Sequence, residues 1–187
     1  MYRKITMLLL ILFSYLIQST LIRILPMGGV APNLLIILTS CFGFMRGKKD
    51  GMFIGFISGL IIDILFGNVI GFYALVYSVI GYLNGFFASI FYPEDIKLPM
   101  VLITSSELLY CFMVYVFRFL IQGKFRFGYY FLHVILPEIV YTLFITIIIY
   151  KIILYINEWL EDLERNDYSG LIPLENNFLP YKIMASF

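Results

Sequence analysis

Hydrophobic residues fall in six runs along the chain, separated by short polar or glycine-containing breaks. The runs cover residues 6–25, 31–45, 51–66, 70–92, 98–121 and 130–155. A helix that crosses the hydrocarbon core of a bilayer needs about 20 residues, within a range of about 17–25. Four runs reach that length, and the second and third are shorter. The pattern predicts an all-α integral membrane domain, residues 1–165, with six transmembrane helices, and a cytoplasmic tail, residues 166–187.

Basic residues between the runs predict how these helices are oriented. Cytoplasmic loops of membrane proteins carry an excess of Lys and Arg. With six spans and both termini in the cytoplasm, nine of the 13 Lys and Arg residues lie on the cytoplasmic side. If the second run were a re-entrant loop, the basic block at Arg46–Asp50 would move outside and the excess would shrink. We therefore predict a multi-pass protein with both termini in the cytoplasm.

Three glycines, Gly51, Gly55 and Gly59, recur at every fourth residue of the third run, so they share one helix face. Asp63 extends that face by one turn. Small residues at this spacing let two helices approach closely within a membrane. The partner is either another helix of the same bundle or a helix of another protein, and the spacing alone does not distinguish them.

The second run opens with Pro32 and Asn33, directly after a break that contains two glycines. Proline suits the first turn of a helix, where its missing N–H costs no hydrogen bond. We expect this segment, together with the glycine face, to shape the bundle or an interface with a partner.

Charged side chains within the runs gather near the predicted outer ends of their helices. A charge at the bilayer centre costs about 2.5–3.5 kcal/mol on insertion scales, so buried carboxylates call for partners or water. We predict an outward-facing polar cluster in which Arg23 and Arg118 accompany Asp63 and Glu138. The alternative is that the arginines extend to lipid headgroups. Three polar residues are predicted to lie deeper: Gln18, Asn84 and Glu107.

Composition agrees with a membrane protein and excludes several other classes. The chain is 61% hydrophobic and 13% charged, against about 45–50% and about 25% in soluble domains. A net charge of +1 without a basic cluster argues against nucleic acid as a partner. Cys41 and Cys111 form no C-x-x-C pair and His133 is the single histidine, so we expect no metal site and no cofactor.

Catalytic motifs are missing from the sequence. Neither G-x-S-x-G nor H-E-x-x-H occurs. A nucleophile would need a base beside it, and His133 with Ser105 or Ser106 is the conceivable pair. Their predicted depths differ, because the serines lie in the inner half of the fifth run and the histidine in the outer half of the sixth. We expect a protein that is not an enzyme.

The order of several short motifs resembles a known family. They are Leu16–Leu21, Pro32–Leu35, Arg46–Gly47, Gly55–Asp63, Gly71–Leu75 and Gly81–Leu83. Their order and spacing over residues 10–155 are similar to those of the rod shape-determining protein MreD family. The resemblance implies a helical bundle similar to the substrate-binding subunits of vitamin transporters.

The resemblance also implies a function without catalysis, in the bacterial plasma membrane. MreD-like proteins are scaffolds of the cell-elongation machinery that bind MreC and couple MreB filaments to peptidoglycan synthesis. The synthetic partners are a RodA-like glycosyltransferase and a penicillin-binding transpeptidase, reached directly or through MreC. The alternative is a substrate-binding subunit of a vitamin transporter, since short Gly/Pro-interrupted spans also point to solute sites. Membrane lipid surrounds the protein in either case, and a homo-oligomer is compatible with the sequence.

Overall fold

The computed structural model describes residues 2–24, 32–66, 69–90, 96–122, 128 and 131–169, and all of its regular elements are helices. The helices are α1 (Tyr2–Ile24), α2 (Leu34–Arg46), α3 (Lys48–Phe66), α4 (Phe72–Asn84), α5 (Lys97–Gln122) and α6 (Leu136–Ser169). A 3-10 segment, Gly85–Ile90, follows α4, and a π-helical turn, Phe131–Ile135, precedes α6.

The shortest helix, α2, forms the centre of the bundle. Its residues 34–44 are all buried, and it contacts each of the other five helices. A helix that is apolar all round is stable only when it is surrounded. With 13 residues, α2 is about 20 Å long at 1.5 Å per residue, which is less than the hydrocarbon thickness of about 30 Å.

The surface of the bundle is largely apolar. Large side chains of α1 and α6 face outward, including Phe13 at 62% exposure and Phe144 at 72% exposure. Among the described residues, three helical stretches have the length and hydropathy to cross a membrane: Phe72–Ile90, Lys97–Phe117 and Phe131–Asp162. Shorter apolar helices cover Ile5–Leu21 and Leu34–Arg46. The protein is therefore a helical membrane protein, and the predicted count of six spans remains a prediction.

The sixth helix is longer than the apolar run that predicted it. It ends at Ser169, fourteen residues after the predicted boundary at residue 155. The first four residues of the predicted tail, 166–169, are thus helical, and residues 170–187 lie outside the described part of the chain.

Pro137 is the second residue of α6, immediately after the π-helical turn. Proline cannot donate the main-chain hydrogen bond that a helix interior requires. A local change of helix type at this point accommodates the missing donor.

Candidate functional site

The predicted glycine face of α3 lies against α4. A Cβ added at Gly51 would overlap the carbonyl of Gly81, one at Gly55 that of Tyr77, and one at Gly59 the main chain of Ala74. The contact is therefore main chain against main chain, along the whole length of the face. Among the two partners that the sequence left open, the described structure places a helix of the same chain here.

Glycines on the opposite side of this contact also belong to it, which the sequence analysis did not single out. A Cβ at Gly81 would overlap the main chain of Gly51, and one at Gly85 would overlap Lys48. Gly43 of α2 belongs to the same contact, because a Cβ added there would lie 2.8 Å from the Gly81 carbonyl oxygen. The signal was present, since Gly81 and Gly85 repeat the four-residue spacing of the α3 glycines.

Asp63 caps the N-terminus of α4. The residue at the capping position is Gly71, which has φ of 102° and no side chain to offer. Asp63 instead accepts hydrogen bonds from the main-chain N–H groups of Gly71, Tyr73 and Ala74 at 3.0, 3.0 and 2.9 Å. A carboxylate at a helix N-terminus satisfies orphan donors and is favoured by the helix dipole.

The described residues leave the predicted pairing of Asp63 with Arg23 and Arg118 as a prediction. Asp63 is 1% exposed, and within the described residues its hydrogen-bond partners are main-chain N–H groups of α4. The side chains of Arg23 and Arg118, predicted to accompany it, lie outside the described residues. Asp63 lies eight residues before Gly71, the cap residue of α4, which has no side chain. The α3–α4 turn places the Asp63 carboxylate over the first N–H groups of α4, so Asp63 serves as the cap.

Asn33, directly before α2, joins three helices. Its Oδ1 accepts from Ile36 N–H at 3.3 Å, capping α2, and from the Tyr77 hydroxyl of α4 at 2.9 Å. Its own N–H donates to Thr142 Oγ1 of α6 at 3.1 Å.

Gln18 of α1 completes this cap. Its Oε1 accepts from Leu35 N–H at 3.3 Å, so one orphan donor of α2 is satisfied by its own cap residue, Asn33, and a second by α1. Pro32, which has no N–H, is buried just before them. The predicted deep polar residue Gln18 and the predicted helix-opening pair thus form one structural unit.

Asn84 forms a second polar junction at the other end of α4. Its Nδ2 lies 2.7 Å from Ser106 Oγ of α5, 2.8 Å from the Ile80 carbonyl and 3.5 Å from Ser40 Oγ of α2. Asn84 is 4% exposed and lines a groove of about 510 Å³ between α4 and α5. Ser106, part of the conceivable catalytic pair, is engaged in this junction, whereas His133 lies exposed in the π-helical turn.

A third junction links the last residue of α2 to the second half of α6. Arg46 donates from Nε to Asn157 Oδ1, and from a terminal nitrogen to the Asn157 carbonyl at 3.3 Å. Asn157 in turn donates to Glu161 Oε1 at 2.8 Å. The nearby Lys48 ammonium lies 3.7 Å from the centre of the Phe86 ring, a cation–π contact that attaches the 3-10 segment after α4 to the start of α3.

The structure brings Glu107 and Glu138 together with Cys111, a grouping that the sequence analysis did not predict. One donor atom of each residue lies within 4.8 Å of the others, and Cys111 Sγ is 3.9 Å from Glu138 Oε2. Glu107 is 1% exposed, and neither of its carboxylate oxygens has a hydrogen-bond partner among the described residues. Carboxylate oxygens and a cysteine sulfur are metal ligands, so these residues are able to hold a metal ion.

The sequence predicted that Glu107 lies deeper in the membrane than Glu138, and the structure brings one oxygen of each within 4.8 Å of the other. The depth of the pair in a membrane stays a prediction. Because α5 and α6 run in opposite directions, their relative shift along the axis sets which residues face each other. The one local signal was the Glu107–Cys111 spacing of four residues, which places both on one face of α5.

Comparison with known proteins supports one family. The family model described as rod shape-determining protein MreD matches residues 1–159 of the 187. Comparisons with curated proteins and with solved structures returned no match. The matched region contains α1 to α5 and most of α6. It includes all of the junctions described above, and Glu161, which accepts a hydrogen bond from Asn157, lies just beyond it. The chain therefore belongs to the MreD family of rod shape-determining membrane proteins.

Proposed function

We propose that this chain is a non-catalytic scaffold of the bacterial cell-elongation machinery, which binds MreC and couples MreB filaments to peptidoglycan synthesis. The observation that carries the proposal is the family match over residues 1–159. On this proposal the RodA-like glycosyltransferase and the penicillin-binding transpeptidase are reached directly or through MreC.

The use of the buried polar groups supports a scaffold. Asp63, Asn33 and Gln18 are engaged with main-chain donors at helix starts, and Asn84 joins three helices. Side chains committed in this way hold helices in fixed relative positions. A rigid bundle of this kind suits a protein whose task is to present surfaces to partners.

We further propose that the chain spans the plasma membrane six times, with both termini in the cytoplasm. The end of α2 meets the end region of α6 through Arg46 and Asn157, and the end of α4 meets the start of α3 at Gly85 and Lys48. At the other side, the start of α2 meets α6 near its start, through Asn33 and Thr142. This alternation of ends agrees with helices that traverse the bilayer in turn.

The test is depletion of the protein in its own cells. Rod-shaped cells are expected to become round, or ovoid cells to widen, and re-expression of the wild-type chain should restore the shape. Co-purification with MreC from membranes tests the partner directly. Unchanged cell shape together with lost uptake of a vitamin would contradict the scaffold and favour the transporter alternative.

A further inference from the structure

We propose that Glu107, Cys111 and Glu138 form a binding site for a zinc ion that joins α5 to α6 inside the bundle. The site is independent of the scaffold function, because it rests on the geometry of these three side chains alone. Two ligands come from one face of α5 and the third from the start of α6.

The first argument is the distance between donor atoms. With Zn–S of about 2.3 Å and Zn–O of about 2.1 Å, a tetrahedral ion holds sulfur and oxygen about 3.6 Å apart. Cys111 Sγ and Glu138 Oε2 are 3.9 Å apart, and all three donors lie within 4.8 Å of one another. Small rotations of the side chains bring them to the coordination distance.

The second argument is the state of Glu107. It is 1% exposed, and both oxygens lack a hydrogen-bond partner among the described residues. A buried carboxylate without a partner is costly, and a second carboxylate beside it adds repulsion when both are charged. A divalent cation occupies the lone pairs that Glu107 leaves unused, and Cys111 releases its proton to bind as a thiolate. Two carboxylates and one thiolate leave the occupied site with a net charge of −1, which becomes zero when one carboxyl group keeps its proton.

The third argument concerns which ion fits. Calcium and magnesium prefer ligand sets made of oxygen, whereas a cysteine sulfur favours zinc and related transition metals. Three protein ligands leave one coordination position for water or another group.

The experiment uses the full chain, purified in detergent and stripped of metal with a chelator. Co²⁺ is titrated as the spectroscopic probe, and Zn²⁺ is then added as competitor. The wild-type chain is expected to bind about one ion per chain, with a sulfur-to-cobalt charge-transfer band that Zn²⁺ abolishes. This measurement needs no variant, so it does not depend on whether a variant folds.

Three variants assign the ligands, and one serves as a matched control. Cys111→Ser should remove the sulfur-to-cobalt band, and Glu107→Gln and Glu138→Gln should weaken Zn²⁺ binding by at least about tenfold, the loss that even an outer-shell partner causes. Cys41→Ser removes the other buried cysteine, in α2, and should leave band and affinity unchanged. Circular dichroism and gel filtration verify that each variant is folded.

Two results would overturn the site. The first is a wild-type chain that binds no Co²⁺ or Zn²⁺ above the detergent blank, which would indicate two carboxyl groups sharing a proton. The second is a sulfur-to-cobalt band that survives in Cys111→Ser or disappears in Cys41→Ser, since the sulfur ligand would then be elsewhere.

Discussion

At the scale of single residues, polar side chains in this bundle serve mainly to complete the ends of helices. Asp63 caps α4 across a turn, and Asn33 and Gln18 divide the first donors of α2 between them. The sequence indicated that these residues matter, because polar groups in apolar helices need partners. The sequence did not indicate which groups bind these side chains, because most of the partners are main-chain N–H groups, which every residue except proline carries.

Removing the Asp63 cap should destabilise the protein. In Asp63→Ala, three N–H groups lose their acceptor, and we expect a loss of about 1–3 kcal/mol in the free energy of unfolding. Asp63→Asn keeps one carbonyl oxygen and should lose less. The measurement is unfolding of the detergent-solubilised protein, followed by circular dichroism.

The control for this series is Asp162→Ala, at an exposed position of α6, which should change stability by no more than about 0.5 kcal/mol. Equal stability of Asp63→Ala and the wild-type chain would mean that the cap contributes nothing.

The hydrogen bond from Tyr77 to Asn33 allows a second test at this scale. Tyr77→Phe removes one buried hydroxyl, and hydrogen bonds within membranes are worth about 0.6 kcal/mol on average, with a maximum near 1.7. We expect a loss in that range, measured in the same unfolding experiment. Tyr82→Phe is the matched control, because Tyr82 is 42% exposed. A larger loss in Tyr82→Phe than in Tyr77→Phe would contradict the assignment.

At the scale of helices, the closest pairing is that of α3 with α4, in which glycines face main chain on both sides. The four-residue glycine repeat predicted a close approach, and the structure supplies the helix that makes it. Aromatic rings then attach α4 to α5, through the stacked pair Phe72 and Phe117 at 3.7 Å. The sequence could not assign the glycine face to α4, because the spacing describes one helix and not its neighbour.

Adding a methyl group to this contact should separate the two helices. Gly55→Ala gains up to about 1 kcal/mol from helix propensity, but its Cβ would overlap the Tyr77 carbonyl, which cannot rotate away. Overpacking typically costs about 1–3 kcal/mol, so we expect net destabilisation of the purified chain without any partner present. Thermal unfolding in detergent measures it.

Gly128→Ala provides the matched control, because a Cβ there would meet no atom within 4 Å. If Gly55→Ala left the isolated protein as stable as Gly128→Ala and weakened only its co-purification with MreC, the face would belong to a partner instead of α4.

At the scale of the whole molecule, the polar junctions alternate between two ends of the bundle. Arg46 with Asn157, and Lys48 with Phe86, lie at one end, and the Asn33 junction lies at the other. The positive-inside pattern predicts that the first end faces the cytoplasm. Although α2 is shorter than the hydrocarbon core is thick, it is compatible with a bundle that crosses the bilayer, because neighbouring helices surround it.

Labelling of single cysteines tests that orientation in intact cells. A charged thiol reagent that does not cross the membrane should modify Ile70→Cys, at 77% exposure in the α3–α4 turn, from outside. Lys49→Cys, also exposed, should react only after the cells are opened. The wild-type chain is the control, since Cys41 and Cys111 are both buried. Labelling of Lys49→Cys in intact cells would invert the topology.

The sequence by itself determined that the protein is helical and rich in membrane-type apolar segments, where those helices lie, and that the glycine face of α3 and Asp63 are buried. These properties follow from hydropathy and from the 3.6-residue period, which are local along the chain. Only the tertiary structure decided the partners. Asn33 meets Thr142 across 109 residues, and one oxygen each of Glu107 and Glu138 lie within 4.8 Å of each other. The rotation and axial shift of packed helices set such contacts, and local sequence patterns do not encode either quantity.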